Sequence, residues 1–238
     1  MVSWLVTDRF KGVSSKPYDA LNLALHVGDR AIDVFKNRTI LTDNHNLCLE
    51  NLIYMDQTHS DNIQIIRDSS LNKIEDCDSI ITNLANTPLM VMVADCIPIL
   101  IWDDKKNVIA AVHAGRKGTF KEISKKTVLH MAEHFDCKKE DINIHLGVSI
   151  NSCCYEVSRD LADITIKNFG AKYIIMRDNK YFLDLQTLNF DQLISVGIKE
   201  KNIDISKECS CCNKDYFSYR RDGITGRFAG VIVINGSK

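Results

Sequence analysis

His59 in DQTHSDN, Cys96 in VADCIP and His113 in AAVHAGRKG are the residues of this chain with the most to offer chemically. Two imidazoles and a thiolate are the donor set of a catalytic zinc site with one coordination position left open. They stand 37 and 17 residues apart, too far for a local metal motif, so a fold has to gather them. Singly, each has a plainer reading. A histidine in a polar turn is commonly just solvated, and a thiol in an apolar run is commonly a small core residue. Asp95, next to Cys96, is harder to set aside, because a carboxylate between Val93-Ala94 and Ile97-Pro98 needs a partner or an exposed strand end. It is a candidate acid or base.

Cations gather at two other places. After His113, Gly115 and Gly118 allow a sharp turn and close approach of a ligand, with Arg116 and Lys117 between them. Thr119 and Glu122 have capping-box spacing, which predicts a helix starting near Phe120 and an anion-favouring N-terminus. The plainer alternative is an ordinary strand-to-helix turn with solvated cations. Near the C-terminus, DYFSYRRDGITGRF brings Arg220, Arg221 and Arg227 around Gly223. It reads either as a β-hairpin with charged faces or as a guanidinium clamp for phosphate. The preceding ECSCCN could share a metal with Cys153 and Cys154, but its spacing matches no zinc knuckle or ribbon, and no metal is expected there.

Short apolar runs that must position these residues read as strands at 4–7, 52–55, 62–66, 79–82, 89–93, 98–102, 108–113, 142–147, 173–176, 181–183 and 228–234. Helical spacing links Phe120, Ile123, Thr127, Met131 and Phe135, then Leu161, Ile164 and Asn168, and less cleanly Leu188, Gln192 and Val196. Several strands follow one another between 52 and 113 without a helix, which argues for packed sheets with helices outside rather than a doubly wound parallel sheet.

Composition narrows the partners. Thirty basic and thirty-one acidic residues leave a formal charge of -1, so no global field draws the chain to nucleic acid or an anionic membrane. Asp8 and Arg9 come too early for a signal peptide, and the run from Leu89 to Trp102 is too short to cross a bilayer and contains Asp95 and Pro98. A cytoplasmic protein acting on a small molecule is the expectation. Nine unevenly clustered cysteines do not form a secreted disulfide pattern, so most are expected to be thiols.

TDRFKGVS, NLALHVGD with Asn37-Arg38, QTHS, DCDSIIT, ADCIPIL, AAVHAGRKG, LGVSI, CCYEV, FLDLQTLNFDQL and FSYRRDGITGRF follow in one order along nearly the whole chain. In these motifs the chain resembles the laccase-domain, YfiH-like family, which carries an older polyphenol oxidase label and is regarded as zinc-dependent purine nucleoside phosphorylases with adenosine deaminase activity. The resemblance implies one domain over 1–238, an α/β fold built as a layered α/β/β/α sandwich with mixed sheets, and Zn2+ rather than copper. It implies His59, Cys96 and His113 as metal ligands and Arg221 as an active-site residue; Asp95, as acid or base, and Lys117, in the anion clamp, join Arg221 as catalytic candidates from their own settings. Substrate contacts fall on Asn22, Gln57, Arg221 and Lys117. The partners implied are phosphate and purine nucleosides (inosine, adenosine, methylthioadenosine), with the protein a monomer or weak dimer. Editing of cell-wall precursors is an alternative. Copper-dependent phenol oxidation is disfavoured, because it needs several copper ions and more clustered histidines than seven scattered ones provide. The family's usual H-A-G-W-R-G is HAGRKG here, which puts Arg116 where tryptophan is usual and Lys117 where arginine is usual.

Overall fold

The structure, a computed structural model, describes residues 1–236. Its first half runs β1 (Val2–Val6), α1 (Ala31–Asn44), β2 (Ile53–Met55), β3 (Ile63–Ile66), β4 (Lys73–Ile74), β5 (Ser79–Thr82), β6 (Leu89–Val93), β7 (Ile97–Asp103) and β8 (Val108–Ala114). Then come α2 (Arg116–Phe120), α3 (Ile123–Phe135), β9 (Asn143–Leu146), β10 (Glu156–Val157) and α4 (Arg159–Phe169). The chain ends with β11 (Ile174–Arg177), β12 (Lys180–Leu183), α5 (Leu185–Ser195), β13 (Ile203–Ile205), α6 (Tyr219–Asp222) and β14 (Phe228–Ile234).

Two mixed sheets face each other, one ordered β1-β14-β6-β2-β4 and the other β13-β9-β7-β8-β5-β3. Period-two alternation assigns each residue to a layer. Leu89, Val91 and Val93 of β6 join Ile109 and Ala111 of β8 in the core between the sheets. Met90 and Met92 point the other way, into a core shared with Leu41 of α1. Val108, Ala110 and Val112 of β8 face Val128 and Met131 of α3 and Leu188 and Leu193 of α5. The order of layers is therefore helix, sheet, sheet, helix, as the resemblance implies. A small sheet, β10-β12-β11, lies apart from the two large ones.

Two local expectations are corrected. The helix after His113 begins at Arg116, with extended Gly115 as its N-cap. Thr119 is inside this short helix, where its amide bonds to the Gly115 carbonyl and its hydroxyl accepts from Asn189. Glu122, with φ 60°, separates α2 from α3 instead of closing a capping box. The FSYRRDG segment is a helical turn and not a hairpin: Ser218 caps α6 by accepting from the Arg221 amide, and Gly223 ends it at φ 69°.

Candidate metal centre and its cavity

His113 keeps the parity of Ile109 and Ala111, so it points between the sheets at the end of β8, where it pairs with Pro98 of β7. Cys96 comes just before β7, and His59 sits in the loop between β2 and β3. One donor atom from each of the three lies within 4.8 Å of the others. Cys96 Sγ is 3.8 Å from His59 Nε2. Tetrahedral zinc with ordinary Zn–N and Zn–S bonds would separate such a pair by about 3.6 Å. Gly115 leaves the room, since a Cβ there would stand 2.9 Å from Cys96 Sγ and 3.0 Å from His59 Cδ2. The residues present fit a divalent ion of the zinc type.

Asp78 organises this centre. It is fully buried, just ahead of β5. Oδ1 accepts from His113 Nδ1 at 2.7 Å and from the His59 amide at 3.1 Å. Oδ2 accepts from the amide and hydroxyl of Ser60, both at 2.7 Å. One carboxylate thus aims Nε2 of His113 at the centre and holds His59 at φ 60°, a conformation costly for a side-chain-bearing residue. Burial pushes the Asp78 carboxyl up, but the bonds from His113 and Ser60 outweigh it and hold the group well below the usual carboxylate range. Burial likewise disfavours charge on Cys96 and His113, yet each is the other's strongest partner. The thiol falls to about 6 and the imidazole, also held by Asp78, rises to about 9. A preformed thiolate is the state a metal requires.

The three donors border a cavity of about 380 Å³. Arg116, Arg220 and Arg227 supply positive charge to its wall, Met92, Ile150 and Tyr155 supply apolar surface, and His26 supplies an imidazole. His26 is lowered by burial and then by the Arg227 charge, so it is neutral at pH 7.

The sequence-derived candidates divide. Gln57 and Asp95 line the cavity beside the three ligands. Gln57 pairs with both the amide and the carbonyl of Met92. Asp95 has φ 94°, and its carboxylate accepts from the Ser210 hydroxyl at 2.7 Å and the Arg220 amide at 2.6 Å. Both oxygens are engaged, so its geometry is that of a positioning residue.

Arg221, Lys117 and Asn22 are not among the lining residues. The Arg221 guanidinium donates to the carbonyls of Ser210, Cys211, Asn213 and Tyr216 and to the Asp222 carboxylate. Its donors are spent on the fold, and the guanidiniums that line the cavity are those of Arg116, Arg220 and Arg227. Lys117, on α2, is exposed. Asn22 is buried and accepts from the Arg227 amide at 2.9 Å, so it positions an arginine. His26 and Tyr155 were missed; each lies inside a resemblance motif but carries no spacing signal of its own.

A second cluster lies where the cysteine-rich segments meet. Cys153, Cys154, Cys209 and Cys212 bring their sulfurs within 4.8 Å of one another.

The family model for multi-copper polyphenol oxidoreductase laccase matches residues 3–235. The chain belongs to this laccase family. A purine nucleoside phosphorylase of Corynebacterium glutamicum is 37% identical over 95% of this chain and 92% of its own. Purine nucleoside phosphorylase YlmD of Bacillus subtilis is 33% identical over 95% and 86%. Among solved structures, YfiH of Bacillus licheniformis superimposes with a TM-score of 0.93 at 30% identity, covering 98% of this chain and 93% of that one. YlmD of Geobacillus stearothermophilus also gives 0.93, at 28% identity, over 99% and 92%. Among the described residues of this laccase-family chain, no helix is long and apolar enough to cross a membrane.

Proposed function

We propose that the chain is a zinc-dependent purine nucleoside phosphorylase that accepts inosine, adenosine and methylthioadenosine, with adenosine deamination as a second reaction. The observation that carries this reading is the cavity wall, where two imidazoles, a thiolate, three guanidiniums and an apolar face surround one space. The names of the relatives support its phosphorylase part.

In phosphorolysis a phosphate oxygen attacks C1′ of the ribose, the C1′–N9 bond breaks, and its electron pair leaves with the purine, which takes a proton. The products are ribose 1-phosphate and free base. Arg116, Arg220 and Arg227 hold the phosphate, which pre-pays its entropy of association. Tyr155, Ile150 and Met92 receive the base, and neutral His26 offers it a hydrogen bond. His59, Cys96 and His113 would hold the zinc, which would supply Lewis acidity when bound. In deamination, water replaces the C6 amino group and ammonia leaves. Asp61, two residues after His59, accepts from Lys121 at 2.9 Å and Lys126 at 2.6 Å, so its carboxylate is committed.

The test is purified, metal-assayed protein incubated with each of the three nucleosides, with and without phosphate, beside His113→Ala. Phosphate-dependent release of base and ribose 1-phosphate, lost in the variant, is expected. Phenol turnover that tracks copper content, with no base released from any nucleoside, would overturn the proposal.

A further inference from the structure

We infer that Cys153, Cys154, Cys209 and Cys212 form a second metal site, a four-thiolate zinc centre that staples one wall of the cavity. This site stands apart from the reaction proposed above and does not depend on it. The two segments meet without help from a metal: Ser149 and Cys209 form a parallel bridge, and the Ser210 amide bonds to the Ser149 carbonyl at 2.9 Å. The sulfurs of Cys153 and Cys212 are 3.5 Å apart and those of Cys154 and Cys212 are 3.2 Å apart. Four sulfurs around zinc at the usual bond length are separated by about 3.8 Å, whereas a disulfide needs about 2.05 Å. All nine cysteines are free thiols.

The surroundings favour a doubly charged cation bound by thiolates. Cys209 and Cys212 form a C-x-x-C turn, and the Asn151 amide donates to Cys209 Sγ at 3.4 Å. Four thiolates and a divalent ion carry a net charge of -2, and arginines collar both segments. Arg177 donates to the carbonyls of Ser152 and Cys153. Arg220 donates to those of Cys154 and Glu156, and Arg221 to those of Ser210 and Cys211. An all-thiolate set selects zinc or iron over magnesium or calcium, and with every position filled by protein it is structural. Its place gives it a task. Tyr155 follows Cys154 directly, and Arg220, which lines the cavity, rests on the Cys154 carbonyl. A metal here would fix the apolar face and one of the three guanidiniums relative to the first centre.

The experiment measures metal by mass spectrometry in reduced, zinc-grown full-length protein. Two equivalents per chain are expected in the wild type, and one each in His59→Ala/His113→Ala and in Cys209→Ser/Cys212→Ser. Should the cysteine variant fail to fold, the first variant loaded with Co2+ decides. Intense sulfur-to-cobalt charge-transfer bands with tetrahedral visible bands support the site. A single wild-type equivalent that His59→Ala/His113→Ala removes, a cobalt spectrum without thiolate bands, or an intact mass showing Cys212 disulfide-bonded to Cys153 or Cys154 would overturn it.

Discussion

Gly115→Ala should abolish tight binding at the first metal centre while leaving the fold in place. Gly115 has φ -75° and ψ 174°, a conformation alanine adopts without strain. The added methyl would nevertheless stand 2.9 Å from Cys96 Sγ and 3.0 Å from His59 Cδ2. Ordinary contacts need about 3.5–4.0 Å, so one or both ligands must retreat by roughly 0.5–1 Å. Metal–ligand distances tolerate only about 0.2 Å. Even loss of a residue that merely orients a ligand weakens a site about 10- to 100-fold, so displacing a ligand itself should cost at least about 100-fold. In free energy that is about 2.7 kcal/mol. The fold should lose only about 1–3 kcal/mol from overpacking. Competition with a calibrated chelator gives the affinity, and thermal melts of the metal-free forms give the stability. A Gly115→Ala protein that holds the metal as tightly as the wild type, with a melt unchanged, would refute the geometry.

Asp78→Asn should weaken the same centre about 10- to 100-fold and also lower the melting temperature, because an amide cannot accept from His113, the His59 amide and Ser60 together. Arg221→Met should act on the fold, costing about 3 kcal/mol, or roughly 6–12 °C in melting temperature. Arg116→Met should instead raise the KM for phosphate about tenfold or more with little change in melting temperature; the reverse pattern would return the clamp to Arg221. The Asp61 carboxyl is lowered to about 2 by Lys126 and then Lys121. Its folded value lies below the roughly 3.9 of unfolded aspartate, so its contribution is present above about pH 4 and is lost as pH falls toward 2. Asp61→Asn should flatten the melting curve against pH in that window only.

The core strands β6, β8 and β14 were legible because their apolar runs are five to seven residues long and fully buried. The runs at 79–82, 89–93 and 228–234 end where the elements do. Helix α1 was not, since its buried face includes Asp33, Asn37, Arg38 and Thr42, which breaks any apolar period. That polar face has a use: Asn37 gathers Ser14, Ala20 and Asn22. Strands β4, β10 and β13 have two or three residues each and are set by pairing alone. Within the site, His59, Cys96 and His113 converge as their donor types suggested. The arginines could not be ranked from sequence, because Arg220 and Arg221 are neighbours that both donate to carbonyls, Arg220 to those of Cys154 and Glu156 on either side of cavity-lining Tyr155 and Arg221 to those of Ser210, Cys211, Asn213 and Tyr216 away from the cavity.

The two halves of the site are held by different means, and this has a consequence for specificity. His113, Cys96 and Asp78 stand at strand ends set by the core between the sheets, and His59 is held in its loop by Asp78, whereas the cations are set through other contacts: Arg227 through Asn22, Arg220 through Asp95, Arg116 through the Gly115 turn. Residues around the substrate can therefore change without disturbing the metal. The HAGRKG segment is such a change. At the position usually occupied by tryptophan, Arg116 lines the cavity and lies 5.8 Å from the Phe120 ring centre, while Lys117, at the position of the usual arginine, faces solvent. The motif keeps a cation at 117 and has gained a second, at 116, in place of an aromatic surface. Arg116→Trp should then strengthen binding of the purine moiety and weaken that of phosphate, a KM shift in opposite directions. Unchanged constants for both would mean that Arg116 touches neither.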